Sequence, residues 1–207
     1  MPLALRGLDG GFFTGVCGPN REEGFGAWDL RTGALLASYA RRFQDLLIAP
    51  GQAYGARIGF EAIALEPLGG GAPLSLPLPS GAECVGRLTL SADGRWLAAG
   101  SCLGDVYVWD LKAPSSPQIL FGHLPLGGDG YRAGVNALAF SPTSSLLASA
   151  GADGTVRLWD PALGLELRRF AVGLGEVKAL AFDAGGAQLA AASEDGLVRV
   201  WGLPNND

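Results

Sequence analysis

The chain has 207 residues, of which 48% are hydrophobic and 17% charged, and its formal net charge is −5. This composition is typical of a folded domain with its own core and excludes a disordered chain. The acidic balance, with Lys112 and Lys178 as the only lysines, argues against a surface that neutralises phosphates, so we expect no nucleic-acid partner.

No stretch reaches the ~18 consecutive apolar residues of a membrane span, and residues 1–7 contain no apolar segment of signal-peptide length. Three scattered cysteines, Cys17, Cys84 and Cys102, do not indicate a disulfide framework. We therefore expect an intracellular protein, first of all cytoplasmic, with the nucleus or an organelle-associated complex as alternatives. With one histidine and no paired cysteine spacing, we expect no metal site and no cofactor.

The first 80 residues show strand-like patterns without a clear repeat. Short apolar runs separated by Gly and Pro predict strands, and Trp28 with Asp29 ends the third of them. Leu65 lies 37 residues after Trp28 and 44 residues before Trp109, so it is predicted to take the place of a tryptophan. The competing interpretation of residues 41–80 is a strand-poor connector.

Three later stretches, residues 84–110, 135–160 and 177–201, repeat one another closely. Each has alternating apolar runs separated by tight turns such as Asp153-Gly154, a dipeptide that suits a β-hairpin. Trp159 and Trp201 are 42 residues apart, a period typical of four-stranded sheets that follow one another along the chain. The longer spacing of 50 residues between Trp109 and Trp159 is explained by an extended loop at residues 124–134.

The runs Ala-Phe-Ser-Pro, Ser-Ala-Gly-Ala-Asp-Gly and Val-Arg-Leu-Trp-Asp, within residues 139–160, resemble a WD repeat. The resemblance implies an all-β protein, a WD-repeat β-propeller of about five blades with four antiparallel strands each. We expect a single domain over residues 1–207, with blades at about residues 1–40, 41–80, 81–121, 133–172 and 173–207. In the last repeat, Gly202 follows Trp201 where the family usually has Asp.

The last repeat ends without an outer strand, so we expect four sheets of four strands and a final sheet of three. Three interpretations stay open: an open or incomplete ring that a partner completes by donating a strand or a blade, a closed five-blade ring, and a piece of a longer chain. Propellers of this family commonly have about seven blades, which makes this chain short for the family.

The resemblance also implies a buried hydrogen-bond chain of one His, one Ser, one Asp and one Trp. In this sequence the four residues are His123, Ser149, Asp153 and Trp159. A Ser-His-Asp catalytic triad is the competing interpretation, which is disfavoured because no Gly-x-Ser-x-Gly elbow accompanies these residues. We therefore expect no enzymatic activity. The last repeat keeps Asp195 and Trp201 but has Ala191 in place of the Ser, so we expect it to rely more on apolar packing.

The family resemblance implies binding to other proteins, and the expected function is a non-catalytic interaction scaffold or a subunit of a multiprotein complex. We expect the contacts on the top face of the propeller, in the 124–134 loop, and at the unsealed sheet edge. The candidate partner-binding residues are Leu124, Leu126, Tyr131, Arg132, Asn136, Glu176, Lys178, Glu194 and Arg31.

Two alternatives for function follow from narrower features. Trp28-Asp29-Leu30-Arg31 matches a Trp-Asp-x-Arg motif that some WD-repeat receptors carry, which suggests a substrate adaptor of a cullin–RING ubiquitin ligase. A small carbohydrate-binding or hydrolytic five-blade propeller is the second alternative, and it would require aromatic platforms and paired carboxylates.

Overall fold

The fold consists of short antiparallel strands joined by tight turns. A computed structural model describes residues 6–8, 11–17, 23–29, 35–39, 45–49, 52–67, 71–123, 134–173 and 175–203. The strands are β1 (Arg6–Leu8), β2 (Gly11–Cys17), β3 (Glu23–Asp29), β4 (Leu35–Tyr39), β5 (Asp45–Ala49), β6 (Gln52–Ile58), β7 (Ala62–Pro67), β8 (Leu74–Pro77), β9 (Gly86–Leu90), β10 (Trp96–Gly100), β11 (Val106–Asp110), β12 (Gln118–Leu120), β13 (Val135–Phe140), β14 (Leu147–Gly151), β15 (Thr155–Asp160), β16 (Leu165–Ala171), β17 (Val177–Phe182), β18 (Gln188–Ser193) and β19 (Val198–Gly202).

These strands form five antiparallel sheets, each made of strands that are consecutive in the chain. Sheets one to four have four strands each, β1–β4, β5–β8, β9–β12 and β13–β16, and sheet five has three, β17–β19. The described residues contain no helix. The all-β architecture predicted from the sequence is therefore confirmed. The single-domain assignment and its segment boundaries remain predictions.

The sheets follow one another through their first strands. β1 contacts β5, β5 contacts β9, β9 contacts β13, and β13 contacts β17. Over the described ranges this series does not close into a ring. The sheets thus form an open series, in agreement with the open-ring interpretation of the sequence.

The core lies between consecutive sheets, because alternate side chains of each strand point to opposite faces of its sheet. Three apolar clusters fill the spaces between sheets two and three, three and four, and four and five. Their central members are Leu65 with Leu97 and Trp109, Val108 with Leu147 and Trp159, and Leu158 with Leu189. Full burial of one such side chain stabilises the fold by about 1.5–3 kcal/mol.

The prediction that Leu65 takes the place of a tryptophan was wrong. Leu65 lies with Ile63 on the face of sheet two that packs against sheet three. Trp109 and Trp159 lie on the opposite face of their sheets, against the preceding sheet. Because neighbouring residues of a strand point to opposite faces, a shift of one residue changes the face of a side chain, and spacing along the chain does not resolve such a shift.

Candidate functional site

A buried hydrogen-bond chain joins four side chains of sheet four and of the segment that precedes it. Nδ1 of His123 lies 3.0 Å from Oδ1 of Asp153, and Nε2 lies 2.7 Å from Oγ of Ser149. The indole Nε1–H of Trp159 donates to the same Ser149 oxygen over 2.8 Å. The structure thus brings together the four residues that the sequence singled out. Because Asp153 can only accept, His123 donates through Nδ1, and a neutral imidazole then accepts the Ser149 hydroxyl at Nε2.

The turn between β14 and β15 holds Asp153 ionised. Burial opposes the charge, but hydrogen bonds from His123 and Thr155 outweigh it and keep the pKa of Asp153 well below its ordinary value. Thr155 donates to Oδ1 of Asp153 from its hydroxyl, over 2.8 Å, and from its backbone N–H, over 3.1 Å. The buried Arg157 guanidinium lies 3.5 Å from Oδ2 of Asp153 and 2.6 Å from Oε2 of Glu166. The carboxylate is therefore held by the Arg157 cation and by hydrogen-bond donors on several sides.

The position of the imidazole depends on a glycine. A Cβ atom on Gly151 would lie 2.4 Å from Nδ1 of His123, a separation that side chains do not tolerate. Gly151 precedes the turn that carries Asp153, so the close approach places the ring directly against the end of β14. This geometry explains why the residue before the turn carries no side chain.

The same geometry argues against a catalytic triad. The hydroxyl of Ser149 is fully buried and is engaged by both His123 and Trp159. His123 is itself buried, so neither the nucleophile nor the base of a Ser-His-Asp arrangement faces a substrate. The chain of bonds instead ties two strands of sheet four, β14 and β15, and the turn between them to the preceding segment.

Sheet five lacks the His and the Ser of this chain but keeps an arginine–aspartate ion pair equivalent to that of Arg157 with Asp153. Asp195 accepts from Nη2 of Arg199 over 2.8 Å and from the backbone N–H of Leu197 over 3.0 Å, and the hydroxyl of Ser193 also donates to it. The Arg199 hydrogen bond, followed by that of Ser193, keeps the pKa of Asp195 well below its ordinary value. The expectation that sheet five relies on apolar packing therefore omitted a polar contribution. The sequence signals this ion pair by Arg199, which lies two residues before Trp201. The equivalent arginine of sheet four is Arg157.

The tryptophans of sheets three and five contact the outer strand of the sheet before them. Nε1 of Trp109 donates to the backbone oxygen of Pro77 in β8 over 3.2 Å. The ring of Trp201 stacks on that of Phe170 in β16, with centroids 4.8 Å apart and an interplanar angle of 27°. In each case the indole stabilises the contact between two successive sheets.

Four of the predicted partner-binding residues form one polar cluster, which we call the upper cluster. It consists of Asn136, Glu176, Lys178 and Glu194, at the end of sheets four and five where the β14–β15 and β18–β19 turns lie. Oε2 of Glu176 accepts from Nδ2 of Asn136 over 3.1 Å and from Nζ of Lys178 over 2.6 Å. Lys178 also lies 3.3 Å from Oε1 of Glu194. The hydrogen bond to Glu176 raises the pKa of Lys178 above its ordinary value.

Two β-bulges place Asn136 and Lys178 in the upper cluster. Asn136 and Lys178 occupy equivalent β-bulges, where the pairing of β13 with β14 and of β17 with β18 shifts by one residue. Arg87 occupies the same position in sheet three, is exposed, and has a positive φ of 41°. Sequence analysis did not single out Arg87, although its place just before the apolar run of β9 matches that of the other two.

Five candidate residues lie outside the described residues. They are Leu124, Leu126, Tyr131 and Arg132 of the 124–134 loop, and Arg31 of the adaptor motif. Their proposed roles stay predictions. His123 and Gly134 flank this gap between the described ranges, and both lie at the same end of the sheets as the upper cluster. His123 contacts Asp153 of the β14–β15 turn, and Ala152 of the same turn donates its N–H to the backbone oxygen of Gly134.

Other chemistry is sparse in the part of the chain that the structure describes. No group of three or more His, Cys, Asp or Glu residues there could hold a metal ion. Among the same residues, no helix is long and apolar enough to cross a membrane. Cys84 is exposed and Cys102 is buried, and burial raises the pKa of the Cys102 thiol to about 11.

Comparison with known proteins places these features in a family. The family model "WD domain, G-beta repeat" matches residues 77–110, 118–160 and 168–202, which together make up more than half of the chain. The chain is 27% identical over 154 residues to "Protein ROOT INITIATION DEFECTIVE 3" from Arabidopsis thaliana, covering 70% of this chain and 33% of that protein. It is 37% identical over 76 residues to "Target of rapamycin complex subunit wat1" from Schizosaccharomyces pombe, covering 37% of this chain and 21% of that protein.

A solved structure supports the fold over nearly the whole chain. The Cps50 (Swd1) β-propeller domain of Myceliophteria thermophila superposes with a TM-score of 0.74 at 15% identity, covering 99% of this chain and 66% of that one. The chain spans a third or less of the length of the two relatives above. The repeats, the series of antiparallel sheets and these comparisons lead to one conclusion: this chain belongs to the WD domain, G-beta repeat family and has the fold of a WD-repeat β-propeller.

Proposed function

We propose that this protein is a non-catalytic interaction subunit that binds a partner protein at the upper end of sheets four and five. The observation that carries the proposal is the upper cluster, in which Glu176 and Glu194 orient the Lys178 ammonium across the start of sheet five. The side chains of Lys178 and Glu194 are about half exposed and stay available for a partner. Charged groups held in fixed positions favour specific binding.

Two further observations support a protein partner. The relative wat1 is named as a subunit of a complex, which suggests a comparable role for this chain. The 124–134 loop is longer than most connections between strands, and loops of this length are often functional. Since its flanking residues lie at the upper end, we include Leu124, Leu126, Tyr131 and Arg132 in the proposed contact surface. We also propose that the protein acts inside the cell, because its three scattered cysteines do not indicate a disulfide framework.

The proposal is tested by affinity purification and mass spectrometry of tagged variants from the source cells. Lys178→Glu places like charges beside Glu176 and Glu194, and we expect it to lose the proteins retained by the unaltered chain. Arg169→Glu is the matched control, because it reverses an exposed charge on the outer strand β16, away from the upper cluster. The proposal fails if Lys178→Glu, shown to be folded by circular dichroism, retains the same proteins as the control.

A further inference from the structure

Two of the three cysteines lie at the end of sheet three that carries the β10–β11 turn, although they are 18 residues apart along the chain. Cys84 precedes β9 and is exposed, whereas Cys102 follows β10 and is buried, and both thiols are free. Sheet three is contacted by sheet two on one side and by sheet four on the other. Cys84 is therefore exposed at the end of a sheet whose two faces are both covered.

Strand register places the two cysteines opposite each other. β9 and β10 are antiparallel, and Gly86 pairs with Gly100 at this end of the sheet. Counting two residues outward on each side brings Cys84 opposite Cys102. Directly opposed residues of an antiparallel pair have Cα atoms about 4.5–5.5 Å apart, and a disulfide requires about 4.4–6.8 Å. The register therefore brings the two cysteines within reach of one bond.

The equivalent positions of the next two sheets are adjacent across the strands as well. They lie one step beyond the last pair of β13 with β14 and of β17 with β18. In sheet four the N–H of Ala152 donates to the backbone oxygen of Gly134 over 2.9 Å, and in sheet five the N–H of Glu194 donates to that of Glu176 over 2.9 Å. Both of these glutamate side chains contact Nζ of Lys178, over 2.6 Å and 3.3 Å. Two side chains at these positions can thus meet.

The contacts of Cys102 agree with this placement. Its Sγ donates to the backbone oxygen of Glu83, the residue before Cys84, over 3.8 Å. Burial first of all, and then interaction with the Cys84 thiol, raises the pKa of the Cys102 thiol to about 11. A buried thiol of this kind stays protonated at neutral pH, so the exposed Cys84 meets a reagent from solvent first.

We propose that Cys84 and Cys102 form a redox-active pair, which a small-molecule disulfide such as oxidised glutathione converts into an intrachain disulfide. The Cys84 thiolate attacks one sulfur of the glutathione disulfide, one reduced glutathione leaves, and Cys84 carries a mixed disulfide. The Cys102 thiol then loses its proton and attacks Sγ of Cys84, and the second glutathione leaves. The pair gives up two electrons and two protons, which the glutathione disulfide takes up as two thiols.

The disulfide would tie the segment before β9 to the β10–β11 turn. That turn also holds the start of sheet four, because the backbone oxygens of Ser101 and Cys102 accept the N–H groups of Val135 and Gly134 over 3.0 Å and 2.9 Å. A reversible bond at this place agrees with a protein inside the cell, where disulfides are transient. It adds covalent chemistry that the proposed binding function does not require.

Peptide mass spectrometry of the folded full chain, equilibrated with reduced and oxidised glutathione at about pH 8, tests the inference. In the unaltered chain we expect a Cys84–Cys102 disulfide. In Cys102→Ser we expect the reaction to stop with one glutathione on Cys84, and in Cys84→Ser we expect about tenfold less glutathione on Cys102. If the unaltered chain accumulates glutathione on Cys84 without the intrachain bond, or pairs either cysteine with Cys17, the inference is overturned.

A second measurement compares the folded and the unfolded chain. The same glutathione buffers, with and without urea, give the effective concentration of one thiol at the other. Because the folded register holds the two residues opposite each other, we expect this concentration to be about tenfold higher, or more, in the folded chain. A ratio close to one or lower overturns the inference. Both measurements use the chain without a partner, so their failure leaves the proposed function standing, and unchanged binding by Lys178→Glu leaves the cysteine pair standing.

Discussion

Nδ1 of His123 lies 3.0 Å from Oδ1 of Asp153, although thirty residues separate the two along the chain. The pair joins the segment before β13 to the turn between β14 and β15, and Ser149 and Trp159 extend it across the sheet. A buried polar network stabilises a fold when each member has its partner, and loss of one member leaves the others unsatisfied. The stability of sheet four should therefore depend on each of these side chains.

The first prediction concerns the charge of Asp153. Asp153→Asn removes the negative charge that His123 and Arg157 both contact. We expect the free energy of unfolding to fall by about 2–3 kcal/mol. Urea denaturation followed by tryptophan fluorescence measures the change. Asp195→Asn is the matched control in sheet five, where the carboxylate is at the surface, and its effect should be clearly smaller. An unchanged denaturation midpoint for Asp153→Asn would show that the network does not stabilise the fold.

The second prediction follows from the depressed pKa of Asp153. An aspartate in the unfolded chain has a pKa of about 3.9, and the value in the folded protein is lower. The stabilisation is therefore complete above about pH 4 and is lost as the pH falls below it. Denaturation midpoints measured from about pH 6 to about pH 3 should fall more steeply for the unaltered protein than for Asp153→Asn. Parallel curves would contradict the assignment of this acid sensitivity to Asp153.

The third prediction concerns the contact between Gly151 and the imidazole. Gly151→Ala forces a Cβ atom against His123, and overpacking of this kind costs about 1–3 kcal/mol. Gly202→Ala is the control, because a Cβ atom there meets no atom within 4 Å. Thermal unfolding of the two variants checks the prediction, with a lower melting temperature expected for Gly151→Ala alone. Equal melting temperatures would mean that the ring and the backbone oxygen of Gly134, which lies 2.7 Å from the same Cβ position, can both move away without cost.

The fourth prediction separates two cysteines by reactivity. The thiolate is the reactive form, and the raised pKa of the buried Cys102 leaves little of it at neutral pH. Iodoacetamide labelling of the folded protein at about pH 8, read by peptide mass spectrometry, should modify the exposed Cys84 well before Cys102. Labelling in urea should remove the difference. Faster labelling of Cys102 in the folded state would contradict its burial.

The success of sequence reasoning differed from sheet to sheet for physical reasons. The repeat around residues 135–160 preserves both the apolar alternation and the polar residues of the turn, so strands and hydrogen-bond partners followed from it. Residues 41–80 lack the tryptophan, and periodicity alone left the face of Leu65 undetermined. The upper cluster was predicted only as separate residues, because the bond between Asn136 and Glu176 spans 40 residues and depends on two bulges. The ion pair of Arg199 with Asp195 was not predicted, because the hydrogen-bond chain on which the expectation for sheet five rested contains no arginine.

The first strands of the sheets contact one another in series, and this arrangement determines where local unfolding of the molecule begins. Since each sheet packs only on its immediate neighbours, stability is distributed as in a linear array, and opening should start where one neighbour is lacking. Among the described residues, sheet five contacts sheet four alone and sheet one contacts sheet two alone, whereas sheets two to four are contacted on both sides. Amide hydrogen exchange should accordingly be faster in β17–β19 than in β10 and β14.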